Sequence, residues 1–138
     1  MDNKTSVQIG DNVYRADGKY LICTNLRTGK RCFSKSFNHP EYETLRDLGI
    51  REVQASPDSQ DIILLFESPQ RGYKTVGNLA RVTTAGEVIW WAELTDTGTD
   101  DYVAVSIDAG RILAWSWNGY RCEIDPRTGR ILSRAFTK

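Results

Sequence analysis

An all-β fold built from repeated antiparallel sheets is what this sequence predicts, and three observations predict it. Short extended segments alternate with turn residues from Ser6 to Phe136. No segment supplies the crossover helix of about 10–15 residues that a parallel sheet needs. One turn motif recurs: YLICTNLRTGKR begins at Tyr20 and YRCEIDPRTGRI begins at Tyr120, each with its tyrosine nine places before the glycine.

Taken in chain order, the first segments are VQIG, GDNVYRA, DGKYLICTNL and RTGKRCFSKSF, with Asp17-Gly18 and Thr28-Gly29 at the turns. Glycine reaches positive φ without a Cβ penalty, so these pairs suit hairpins. Residues 38–49, NHPEYETLRDLG, differ in kind. Asn38 suits a helix cap, Pro40 a first turn, and Tyr42, Leu45 and Leu48 make a stripe at spacing three. A short helical insert is expected there, with a structured loop as the alternative.

Strands resume with IREVQA and DIILLFES around the turn SPDSQ, then NLARVTTAG and EVIWWAEL form a second hairpin. Asp58 and Asp61 read as turn residues of SPDSQD. After TDTGTDD come DYVAVSI, RILAWSW, YRCEIDP and RILSRAF, joined at DAG, NG and RTG. In IDPRTG the Asp125 carboxylate is placed to accept backbone N–H bonds, and Gly129 takes the left-handed position.

Aligning Gly29, Gly86 and Gly129 yields three copies of one hairpin, each preceded by another. The units are about 6–37, 50–94 and 101–137, in a single all-β domain over 1–138. Four antiparallel strands in about 40–45 residues is the size of a β-propeller blade. IDPRTGRIL at 124–132, weakened to NLRTGKRC at 25–32, resembles the third and fourth blade strands of the quinoprotein-like family, whose repeats are of the PQQ type. RVTTAGEVIWW at 81–91 is similar, with Ala85-Gly86 in place of T-G. The resemblance implies a propeller. About 4–8 blades close such a ring, so three imply a half-propeller completed by dimerisation. A monomeric β-sandwich or partial barrel is the alternative. No quinone-binding or metal-binding residue of that family is matched here, and no cofactor is expected.

Eighteen basic and eighteen acidic residues cancel, with segment charges of +4 over 1–37, –6 over 38–100 and +2 over 101–138. Such a balance gives no footprint for nucleic acid or anionic membrane. Cys23, Cys32 and Cys122 are odd in number and form no CxxC, which points to a reducing, cytoplasmic setting and against zinc. The thiols are expected buried or half-buried.

His39, the lone histidine, is expected on a surface loop. Asp96, Asp100 and Asp101 read as a polar acidic loop without the calcium-loop spacing. Glu67 and Glu93 could pair as a hydrolase does, though sequence does not fix their separation. The aromatic and basic group Trp90, Trp91, Trp115, Trp117, Tyr120 and Arg121 is the candidate interface or ligand platform, because interfaces are enriched in Trp, Tyr and Arg. At least one of its tryptophans is expected to face outward. The expected function is a non-catalytic protein-interaction or accessory scaffold that forms a homodimer, presenting loops 68–77 and 95–101 and the insert to a partner. The alternative is a hydrolase or carbohydrate-binding module with a site at a subunit junction.

Overall fold

The computed structural model describes residues 4–40, 49–67, 76–95 and 100–137. Among the described residues, twelve strands form three four-stranded antiparallel sheets. Sheet 1 holds β1 (Ser6–Ile9), β2 (Asn12–Asp17), β3 (Tyr20–Asn25) and β4 (Arg31–Lys35) in that spatial order. Sheet 2 holds β5 (Ile50–Ala55), β6 (Ile62–Phe66), β7 (Val76–Val82) and β8 (Val88–Glu93). Sheet 3 holds β9 (Tyr102–Asp108), β10 (Arg111–Ser116), β11 (Tyr120–Ile124) and β12 (Ile131–Phe136). Each sheet is a meander, so every strand pairs with its chain neighbour.

The turns are built as their residues dictate. Asn25 and Asp125 each use a side-chain oxygen to accept the N–H two residues on, at 3.0 and 2.9 Å. Gly29 and Gly129 then close on the backbone carbonyls of Asn25 and Asp125, with φ of 71° and 77°. In sheet 2 the turn is one residue shorter: the Thr83 hydroxyl accepts from Ala85 and Glu87, and Gly86 donates to the Thr83 carbonyl.

The sheets stack face to face. β6 shows this best, because all five of its residues are buried and alternate between two cores. Ile62, Leu64 and Phe66 pack with Tyr14, Leu21 and Cys23 of sheet 1. Ile63 and Leu65 pack with Ile112, Ala114 and Cys122 of sheet 3. A strand with no wet face reads as an unbroken apolar run, as IILLF does.

Polar side chains tie the stack together. Buried Asn78 donates to the carbonyls of Phe66 (2.8 Å) and Tyr102 (2.9 Å) and accepts from the Tyr102 N–H (2.9 Å), which joins sheets 2 and 3. Gln54 donates to the Val105 carbonyl at 3.0 Å, and the Tyr14 hydroxyl donates to Thr84 at 3.0 Å.

The insert expected at 38–49 falls mostly outside the described residues, and Asn38–Pro40 are not helical. Two expectations are corrected. His39 is not on the surface: it is 6% exposed, its Nε2 lies 3.0 Å from the Gly77 carbonyl, and its ring meets Trp91 edge-on at 4.8 Å. Asp100 and Asp101 are interior rather than a wet acidic loop, at 0% and 2% exposure. Asp100 accepts from the Thr95 hydroxyl and from the N–H groups of Asp101 and Asn118, so it organises the entry to sheet 3.

Candidate functional site

Bonding in the three hairpins sets a common register. Asn25, Thr83 and Asp125 are equivalent, because each N–H donates to the carbonyl across its turn, at Lys30, Glu87 and Arg130. Two residues earlier stand Cys23, Arg81 and Glu123. Their partners on the inner neighbouring strand are Tyr14, Ile63 and Leu113. Their partners on the outer strand are Phe33, Trp90 and Ser133. One further pair aligns as Ala16–Leu21, Leu65–Leu79 and Trp115–Arg121.

These positions make up the forward face of each sheet, the face that meets the next sheet in the chain. In sheets 1 and 2 it is covered: Tyr14, Leu21 and Cys23 lie in one core, Ile63, Leu79 and Trp90 in the other. On sheet 3 the same positions hold Leu113, Trp115, Arg121, Glu123 and Ser133. Leu113 and Trp115 are half-buried, outside both cores, and Arg121 and Ser133 are exposed. Among the described residues nothing is stacked on this face.

The covered faces show what normally sits there. A Cβ placed on Gly86 would lie 2.8 Å from Lys35 Cδ and 3.3 Å from the Phe33 ring. On Gly129 it would lie 2.7 Å from Trp90 Cε3. The third-to-fourth-strand turn of each following sheet therefore rests on the outer-strand aromatic of the sheet before it. The Trp90 indole N–H donates to the Pro126 carbonyl at 2.9 Å, and Lys35 Nζ donates to the Ala85 carbonyl at 2.9 Å. At the other end of the stack, Gly29 has open space beside it. A hollow of about 520 Å³ lies at the β3–β4 turn, lined by Asn25, Arg27, Thr28, Lys30, Arg31 and Cys32.

A second cleft, about 440 Å³, lies between sheets 2 and 3 and is lined by Pro57, Asp58, Asp61, Arg81, Ile89 and Pro126 among others. Its charges satisfy one another. Arg81, 7% exposed, reaches Asp61 at 2.7 Å and Asp58 at 3.1 Å and donates to the Pro126 carbonyl at 2.8 Å. The Ser56 hydroxyl at 2.6 Å, the Gln60 N–H and Arg81 together hold the Asp58 carboxyl down at about 2. Asp58 and Asp61 serve their turn, as expected, and also anchor an arginine that nothing in the sequence marked.

The platform residues do not form one surface. Trp90 and Trp91 point into opposite cores, and both are covered because sheet 2 is sandwiched between neighbours. Trp115 lies on the open forward face. Trp117 is 66% exposed in the turn after β10, past a register shift at Trp115/Ser116 that ends the strict alternation with Leu113. Tyr120 is on the other side of β11, edge-on to Phe136 at 5.4 Å and beneath Arg134, which donates to the Thr95 carbonyl at 2.7 Å. Arg121 stands beside Trp115.

Among other candidates, Glu93 accepts from the Ile131 N–H at 2.9 Å, whereas Glu67 lies against Gly49. Burial raises the thiols of Cys23 and Cys122 to about 11. Cys32 is exposed, contrary to expectation: it lies at the register shift between β3 and β4, with its Sγ 3.7 Å from Asn12 Oδ1. Asp96 and most of the loops at 68–77 and 95–101 lie outside the described residues.

A stack of four-stranded meanders, each resting its third turn on the one before, is the construction of a β-propeller, and solved structures agree. The chain is similar to the WD40 domain of Pan2 from Neurospora crassa, with a TM-score of 0.62 and 18% identity over 98% of this chain and 38% of that one. It is similar to BamB from Moraxella catarrhalis, at 0.58 and 16% over 91% and 33%, and to the computationally designed Ika8 protein, at 0.64 and 10% over 98% and 36%. The chain thus spans between 33% and 38% of the length of each of these. Its three sheets are propeller blades. Residues 50–136, more than half of the chain, match the model of the family described as Domain of unknown function (DUF7957), and the chain belongs to that family. No curated protein matches the sequence.

Proposed function

We propose that this protein is a non-catalytic interaction scaffold that presents rigid blade faces to protein partners and associates with copies of itself. One observation carries the reading: the forward face that blades 1 and 2 bury under a neighbour is open on blade 3, where it keeps Leu113 and Trp115. Uncovered apolar and aromatic side chains in a position built for stacking favour a partner, and Trp with a neighbouring Arg is the composition of binding hot spots.

The absence of catalysis is supported by how the reactive groups are used. The carboxylates of Asp58, Asp61, Asp100 and Glu93 each hold a structural bond, and the thiols of Cys23 and Cys122 are kept protonated. Within the propeller class, the matching turns at 25–30 and 125–130 support blades of the quinoprotein-like kind. Three free cysteines support a reducing compartment such as the cytoplasm. Among the described residues no helix is long and apolar enough to cross a membrane.

Light scattering of the purified chain over a wide concentration range tests the reading. Self-association gives twice the 15.6 kDa of one chain. A mass of one chain at every concentration rejects it.

A further inference from the structure

Building on the self-association reading, we infer that the forward face of blade 3 receives the 25–31 turn of a second copy, so that two chains close a six-bladed ring through two identical head-to-tail junctions.

The chain makes this junction twice within itself, Gly86 over Phe33 and Gly129 over Trp90. The two unused halves of a third junction are Gly29, with open space beside it, and Ser133, in register with those aromatics. A head-to-tail contact that is repeated generates a ring when its rotation closes, and six blades lie within the range in which propellers close, about 4–8.

Where blade 2 has Arg81, blade 3 has Glu123, now paired only loosely with Arg111 at 4.0 Å. The turn that would lie over it carries Arg27, Lys30 and Arg31. An inter-blade pair of this kind already exists in the chain, where Lys35 of β4 meets Glu87 of the next blade's turn at 3.5 Å. At the opposite edge of the face the signs are again complementary. Arg121 lies near the hairpin that joins β10 to β11, and Asp17 lies at the matching hairpin on the rear face of blade 1. Complementary charge at both edges sets register and suppresses wrong stacking.

Charge reversal tests this. Glu123→Lys, and separately Arg27→Glu with Lys30→Glu, should each weaken the dimer at least tenfold in sedimentation equilibrium while leaving the far-ultraviolet dichroism unchanged. A chain carrying all three substitutions should regain the dimer. As a measurement independent of these variants, a chain with Cys32→Ser that carries Ser34→Cys, exposed on the rear side of β4, and Ser133→Cys should be linked between copies by a short bismaleimide, giving a covalent dimer on a denaturing gel. A dimer insensitive to charge reversal that yields no cross-link overturns the assigned surface and leaves self-association standing. A chain that stays monomeric overturns both.

Discussion

Replacing Gly129 by alanine probes the contact on which the blade stack depends. The residue has a φ of 77°, where an L side chain costs about 1–2 kcal/mol. Its new Cβ would also lie 2.7 Å from Cε3 and 2.8 Å from Cδ2 of Trp90. That indole cannot simply swing away, because it is 7% exposed and its N–H is bonded to Pro126. Overpacking of this sort costs about 1–3 kcal/mol, so the total is about 2–5 kcal/mol. Gly110 isolates the second part: its φ is 79° and nothing lies within 4 Å of its Cβ position, so Gly110→Ala bears only the backbone cost of about 1–2 kcal/mol. Any gain from a stiffer unfolded chain is common to both variants and cancels. Urea unfolding followed by tryptophan fluorescence should therefore place Gly129→Ala about 1–3 kcal/mol below Gly110→Ala, a further drop of roughly 3–9 °C in Tm at about 3 °C per kcal/mol. Equal destabilisation of the two variants would refute the claim that the turn bears on Trp90.

Other outcomes follow from the same contacts. Arg81→Met leaves the Asp61 carboxylate without its buried partner, while the Pro126 carbonyl keeps the Trp90 N–H, and should cost about 3–5 kcal/mol in chemical denaturation, and Arg81→Lys should rescue little, because one ammonium cannot replace the fork. The Asp58 carboxyl is held at about 2 against an ordinary 3.8, so its contribution is fully present above about pH 4 and is lost as pH falls toward 2. Asp58→Asn should flatten that acid limb of the urea midpoint, and an unchanged limb would count against the Ser56–Asp58–Arg81 arrangement. With Ellman's reagent at pH 8 the native chain should react rapidly at one thiol, Cys32, while Cys23 and Cys122, buried and raised to about 11, react only after unfolding.

The turns were legible in the sequence because their chemistry is local. Asn25 and Asp125 bond within their own loops, and a glycine at positive φ declares itself without reference to the rest of the chain. The strands and their grouping in fours followed from those turns. Trp90 and Trp91, adjacent on one strand, must face opposite ways, but whether each was covered depended on there being a blade on both sides, which no local pattern encodes. Arg81 was missed for a related reason: its partners Asp61, Asp58 and Pro126 lie 20, 23 and 45 residues away. His39 and Asp100 likewise read as surface residues, because a polar side chain looks exposed until its buried acceptor or donor is seen. At the candidate face the type of residue at Trp115 and Arg121 was visible, whereas its separation from Trp90, Trp91 and Tyr120 was not.

The middle sheet has consequences for how the molecule comes apart. Every residue of β6 contributes to one seam or the other, so losing either outer sheet would strip water-excluding cover from half of that strand at once. In stacked repeats, neighbour coupling of this strength merges the units into one cooperative block. Heating should accordingly melt all three sheets in a single transition, with no stage at which one sheet survives alone.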